Sequence, residues 1–305
     1  MDRIPQVNSP GSDVGSIRVT AAADVFTPHG PREATLPLLL DSPHSGRVFP
    51  PDFGAAVGED ALRDGEDCFV DELWLPATQR GVWLLAANFP RTYLDVNRHA
   101  DDVDLDLIDG GRWPGTHRPS GKAAIGKALV WRTLDDGRPI YARKLGVAEV
   151  RSRIERCHVP YHRALAERIE ATHARFGVSV HLNCHSMKAV GGVQAEGGAG
   201  KPRADFVLGD RDGTTCDRAL TEFVRQVLSG MGYDVKINDP YKGVELVRAY
   251  ADPAAGRHSL QVEINQRFYL DEATRSRHDG FEPLQRNLLV LADALLEFAD
   301  ARRRR

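Results

Sequence analysis

Two histidines of this sequence stand where side chains often do chemistry. His44 lies in Asp41-Ser42-Pro43-His44-Ser45-Gly46, a turn directly after the apolar run 34–40, and His185 closes the run VHLNCHS at 180–186. Neutral imidazoles after two strands suit a divalent metal such as zinc. A catalytic zinc keeps three protein ligands and an open position, and its third ligand is often a carboxylate. Asp67 and Asp71 both qualify, and their spacing of four puts them on one face of a helix expected over 60–78. Either could instead serve the helix dipole. Glu263, in LQVEIN at 260–265, points away from Leu260, Val262 and Ile264. A strand carboxylate without a partner has a raised pKa, which suits a general base working on metal-bound water. A structural salt bridge is the simpler role.

Cations accompany these groups. In Arg91-Thr92-Tyr93-Leu94-Asp95-Val96-Asn97-Arg98 the polar Tyr93, Asp95 and Asn97 alternate with apolar residues, the pattern of a polar-faced strand or extended segment. Its arginines could hold a ligand carboxylate by paired hydrogen bonds, or simply bridge Asp95 at the surface. Arg211, Lys242 and Arg248, in or beside Gly-bearing turns, could line an anionic pocket or stand as solvated cations. His181 shares a strand face with Asn183 and His185, but it lies deeper and reads as a packed histidine.

The elements that must position these groups alternate between strand and helix. Strands are expected at 25–28, 34–41 (with 38–40 the well-paired part, because Pro37 cannot donate), 82–87, 178–184, 206–209, 233–238 and 260–264. Helices are expected at 60–78, 149–176, 216–230 and 281–301. Residues 101–136 form a polar excursion over the surface, and 191–200 are Gly-rich. This alternation predicts an α/β fold with a mixed, mostly parallel sheet, whose sites gather at the carboxyl ends of strands. Residues 1–20 read as a loose leader, and 21–305 as a single catalytic domain.

Composition narrows the class. Of 305 residues, 42% are hydrophobic and 27% charged, a globular balance. Forty Lys and Arg against 43 Asp and Glu give a net charge of −3, which argues against a generally basic nucleic-acid binder. Four cysteines without a C-x-x-C pair exclude a disulfide framework and a zinc-finger spacing, and imply a reducing compartment. No apolar run approaches membrane-spanning length, so the expected location is cytoplasmic, without membrane partners. The 11 histidines are a modest surplus. His29, His173 and His278 have no role that the sequence assigns, and Arg302 to Arg305 form a basic tail.

Seven segments in order resemble the N-formylglutamate amidohydrolase family: SPHSG (42–46), DCFVDELW (67–74), FPRTYLDVNR (89–98), HLNCHSM (181–187), DFVLGDRDGTTC (205–216), NDPYKGVELVR (238–248) and RHSLQVEIN (257–265). The family is in turn similar to zinc carboxypeptidases and related deacylases. The resemblance implies a three-layer α/β/α fold of the zinc-carboxypeptidase, phosphorylase/hydrolase-like type. It implies one zinc ion on His44 and His185, Glu263 as base, and carboxylate binding by Arg98. Asn97, Arg211 and Arg248 are expected beside Arg98, and Arg91 is the cation expected near the reacting carbonyl. The activity implied is hydrolysis of N-formyl-L-glutamate to formate and glutamate, in histidine degradation, with a small anionic N-acyl amino acid as partner. A deacylase of another N-acyl amino acid and a non-catalytic metal- or anion-binding protein are the alternatives. The sequence departs from the carboxypeptidase pattern at His-x-x-Glu, since Arg47 is the third residue after His44. Asp67 is therefore taken as third ligand over Asp71, being nearer the helix start. Lys188 stands where relatives commonly have Pro, a change expected to touch the loop rather than the chemistry.

Overall fold

The computed structural model describes residues 25–194 and 197–303. The expected leader, 1–20, lies outside the described residues. The strands are β1 (Phe26–His29), β2 (Leu38–Ser42), β3 (Trp83–Ala87), β4 (Ser179–Met187), β5 (Phe206–Gly209), β6 (Val235–Ile237), β7 (Arg257–Asn265), β8 (Leu270–Asp271) and β9 (Ser276–Arg277). The first seven form one sheet in the order β1-β3-β2-β4-β7-β5-β6, and β8 and β9 pair separately. Its centre, β3-β2-β4-β7, is parallel. β1 runs antiparallel to β3, while β5 runs antiparallel to β7 and parallel to β6. The sheet is thus mixed and mostly parallel, as the alternation predicts.

The α-helices are α1 (Glu59–Leu62), α2 (Val70–Trp74), α3 (Val147–Arg153), α4 (Val159–Phe176), α5 (Arg218–Gly230), α6 (Glu245–Tyr250) and α7 (Phe281–Arg303). Because side chains alternate across a strand, the central strands can bury both faces. On one face Leu40, Leu182 and Val262 pack with Trp74 of α2, Val224 of α5 and Leu288 of α7. On the other, Leu39 and Leu85 pack with Tyr161 and Leu165 of α4 and with Leu107, Leu129 and Leu134. The last three belong to the 101–136 excursion, which therefore supplies part of a core despite its polar sequence. Between these apolar patches the second face carries a buried polar row: Asp41, His181, Asn183, His185, Ser259, Gln261 and Glu263.

Several expectations need correction. The helix expected at 60–78 is four pieces: α1, a 3-10 turn Arg63–Gly65, α2, and a 3-10 stretch Leu75–Arg80. Tertiary hydrogen bonds replace helical ones at the break. Asp67 N donates to His44 O at 3.1 Å, and Ser45 Oγ donates to Asp67 O at 2.9 Å. Phe69, at φ 60°, turns the chain into α2. Asp67 and Asp71 therefore do not share a helix face. Residues 91–98 are a series of turns rather than a strand. The Asp95 side chain accepts from Asn97 N at 2.9 Å, a local bond that competes with extended pairing. The expected helix 149–176 is α3 and α4 joined by a π-helical turn, Ile154–His158. β4 runs three residues beyond the expected strand, so His185 sits within it, and β6 is shorter than expected.

Candidate metal centre and active site

β2, β4 and β7 present their carboxyl ends side by side, the position where α/β sheets place their sites. Register sets His185 opposite Glu263 and Asn183 opposite both Asp41 and Gln261. After β2 the chain turns through Pro43-His44-Ser45-Gly46. A Cβ on Gly46 would lie 2.4 Å from Phe89 O, so only glycine lets this turn press against the chain leaving β3. Ser42 Oγ and Ser45 Oγ, 2.7 Å apart, brace it. The hydrogen bonds between this turn and the Asp67 backbone then bring that carboxylate to both histidines.

His44, Asp67 and His185 are all buried, and one ligand atom from each lies within 4.8 Å of the others. The hydrogen bond behind His44 fixes what that imidazole presents. Asp95 Oδ1 is an acceptor 2.7 Å from His44 Nε2, so that nitrogen donates. Neutral His44 then turns an Nδ1 lone pair to Asp67 Oδ2 at 3.3 Å. His185 Nε2 lies 2.7 Å from Asn183 Oδ1, and its Nδ1 lies 2.9 Å from the same Asp67 oxygen. Two imidazole nitrogens and a carboxylate oxygen thus converge in a buried space, a set of ligand atoms that fits a divalent metal ion. Burial alone would raise the Asp67 carboxyl. Hydrogen bonding to the His185 and His44 rings, and the charge those rings contribute in their protonated form, outweigh it and hold the group below the usual carboxylate range.

Glu263 faces the same space. Gln261 Nε2 donates to its Oε1 at 2.8 Å. Burial, reinforced by the charge of Asp67, pushes its carboxyl well above the ordinary value, against the opposing pull of Arg91 and His44. A carboxyl so placed can act as both proton acceptor and proton donor. Arg91 Nη2 donates to Asp95 Oδ2 at 2.8 Å, and its guanidinium lies 5.0 Å from the centre of the Trp131 ring.

These groups open on one cavity of about 700 Å³. It is lined by His44, Asp67, His185, Glu263, Arg91, Asn97, Arg98, Arg211, Lys242 and Arg248. The structure therefore gathers every sequence-derived candidate except Asp71, which is not among the lining residues and whose Oδ1 is buried without a hydrogen-bond partner. The cations differ in freedom. Arg98 donates from Nε and Nη1 to the carbonyls of Lys127 and Asn97, at 3.3 and 3.1 Å, and its Nη2 stays 3.8 Å from Asp95. Arg248 forms two hydrogen bonds with Glu245, at 2.8 and 2.7 Å. Lys242 pairs with Asp212, and Arg211 donates to Gly243 O at 2.9 Å.

Sequence reasoning missed several members. Asp95, for which a surface pair with an arginine is one of two sequence readings, does pair with Arg91 but is fully buried, and it orients His44. Lys127 and Trp131 line the cavity from the excursion, where no motif marked them, and the Lys127 ammonium lies 4.1 Å from the centre of the Trp131 ring. Asp41 and Asn183 could have been found as polar residues inside otherwise apolar strands.

The sequence profile of the N-formylglutamate amidohydrolase family matches residues 36–270. The N-formylglutamate deformylase of Pseudomonas aeruginosa is 31% identical over 247 residues, covering 79% of this chain and 85% of that protein. The Pseudomonas putida N-formylglutamate deformylase is 28% identical over 288 residues, covering 90% and 97%. The crystal structure of N-formylglutamate amidohydrolase from Ralstonia eutropha superposes with a TM-score of 0.84 at 46% identity, covering 90% of this chain and 98% of that one.

Proposed function

Since the chain belongs to the N-formylglutamate amidohydrolase family, we propose that it hydrolyses the formamide C–N bond of N-formyl-L-glutamate, giving formate and L-glutamate, with one zinc ion as cofactor. The observation that carries this reading is the meeting of two imidazoles, the Asp67 carboxylate and the Glu263 carboxyl in one cationic cavity. His44, Asp67 and His185 would hold the ion, which when bound supplies Lewis acidity.

Glu263 takes the proton from the attacking water at its carboxylate. It then delivers that proton to the departing amine nitrogen, so one group serves as base and as acid. Its raised pKa supports both duties. Arg91, held against Asp95, places positive charge where the formyl oxygen gains negative charge. Arg98 and Asn97, with Arg211 and Arg248 across the cavity, bind the substrate carboxylates. A dicarboxylate requires more than one cation, and the lining supplies them. The reaction falls within histidine degradation. Four free, buried cysteines support a reducing, cytoplasmic setting, and no helix among the described residues is long and apolar enough to cross a membrane.

The cavity's size favours one second reading, a deacylase that takes a larger N-acyl group. The test measures initial rates on N-formyl, N-acetyl and N-formimino glutamate, with chelator-stripped and zinc-restored protein. Zinc-dependent formate release from N-formylglutamate, faster than the other rates, is expected. A faster N-acetyl rate supports the second reading. Zinc uptake without any turnover would make this a non-catalytic metal-binding protein.

A further inference from the structure

Two histidines outside the cavity lining hold the turn that carries Arg98. A π-helical turn, Ile154–His158, leads into α4, and Pro160 has no N–H to return to it. His158 closes that turn, and His162 follows four residues later, one helical turn on. The two rings stack, with 3.9 Å between their centres and 15° between their planes. His158 Nε2 lies 2.9 Å from Arg98 O, and His162 Nε2 lies 2.8 Å from Val96 O. A carbonyl oxygen can only accept, so both rings donate from Nε2. Burial lowers the pKa of both imidazoles, that of His162 to about 3, so the stacked rings carry no charge to repel each other near neutral pH.

The turn is held at its other polar atoms as well. Asn97 N donates to Asp95 Oδ1 at 2.9 Å, and Asn97 Oδ1 accepts from Leu246 N of α6 at 2.9 Å. Asn97 O accepts from Arg98 Nη1 at 3.1 Å. The carbonyls of Val96, Asn97 and Arg98 thus each have a donor, and the histidine pair supplies two of the three. α6 also braces the pair, since Tyr250 OH lies 2.7 Å from His162 Nδ1.

We infer that His158 and His162 are positioning residues for Arg98: they clamp the backbone of the 96–98 turn and so set where its guanidinium meets a substrate carboxylate. A packing role would call for two rings of this size, but not for two Nε2 donors on two carbonyls of one turn. The inference rests on the reading of Arg98 as a carboxylate-binding residue.

The test uses full-length, zinc-restored protein. It reads KM and kcat for N-formyl-L-glutamate and, by calorimetry, the Kd of L-glutamate, which carries both carboxylates and needs no turnover. His158→Phe and His162→Phe each keep a ring of similar size but remove a donor, and each should raise KM and Kd by about 3–10-fold with kcat unchanged. His158→Gln, whose amide nitrogen can reach the place of Nε2, should keep the wild-type values. Where His158→Phe does not fold, His158→Asn, too short to reach the carbonyl, makes the same comparison with His158→Gln. In an Arg98→Ala background His158→Phe should raise neither constant further, because the group it positions is gone. Unchanged KM and Kd in His158→Phe overturn the inference, as does an equal loss in His158→Gln or a further loss in Arg98→Ala. Unchanged constants in Arg98→Ala by itself remove the reading of Arg98 and the inference with it. If the wild type binds L-glutamate with this pattern among the variants but releases no formate, the proposed activity fails and the inference stands. Binding of neither ligand overturns both.

Discussion

Asp95 joins His44 to the cationic wall of the cavity: one carboxylate oxygen accepts from His44 Nε2 at 2.7 Å and the other from Arg91 at 2.8 Å. A single buried anion therefore orients a candidate ligand and anchors the cation proposed for the oxyanion. Asp95→Asn keeps the shape, yet its amide can turn an NH2 group to His44 and favour the wrong tautomer. The expected result is zinc affinity weaker by about 10–100-fold, with kcat/KM falling at least as far. Chelator competition and steady-state kinetics check this, and an unchanged zinc affinity would contradict it.

The cations of the cavity should not contribute equally. Arg248 already has two hydrogen bonds to Glu245, whereas Arg98 Nη2 has only a distant carboxylate. Arg98→Ala should raise KM for N-formylglutamate by about 10–100-fold, the worth of a charge-assisted hydrogen bond. Arg248→Ala should raise it much less. Equal effects would show that the Glu245 pairing does not hold Arg248 back from the substrate.

Asp71 predicts a pH-dependent stability. Burial, opposed by Arg47, pushes its carboxyl up to about 6. The unfolded chain releases that proton near pH ~4, so between the two values the folded state binds more protons and stability falls as pH rises. Asp71→Asn should therefore raise the thermal midpoint at neutral pH, by a free energy on the order of 1–3 kcal/mol, with the gain vanishing below pH ~4. A gain independent of pH would contradict the assignment.

Arg153 is a structural prediction. Its guanidinium is fully buried and donates to Tyr93 O at 3.2 Å, Phe53 O at 2.9 Å and Tyr141 OH at 2.7 Å. Arg153→Met leaves these acceptors without donors and should cost on the order of 3 kcal/mol in denaturant unfolding. A loss too small to resolve would show that the acceptors find other donors.

Much of this was legible in the sequence, for physical reasons. Strand alternation placed His181, Asn183 and His185 on one face, and Gln261 and Glu263 on one face of the neighbouring strand, because a two-residue period is local. The break before α2 was not legible. It depends on hydrogen bonds between Asp67 and a turn 23 residues earlier, which local periodicity cannot register. Asp67 nevertheless meets both histidines, from a turn rather than a helix face. Asp95 was misjudged because alternation in 91–98 imitates a strand, although the chain there is turned by its own side-chain bonds. Lys127 and Trp131 reach the cavity from a long excursion whose path only the fold determines.

The central claim is that Glu263 moves the proton in a zinc-dependent hydrolysis. Formate release from N-formylglutamate by zinc-loaded Glu263→Gln, compared with the wild type, tests it most directly. The variant keeps an oxygen able to accept from Gln261, and so should fold and hold zinc. The account predicts turnover lower by about 10²–10⁴-fold. Turnover near that of the wild type would contradict it.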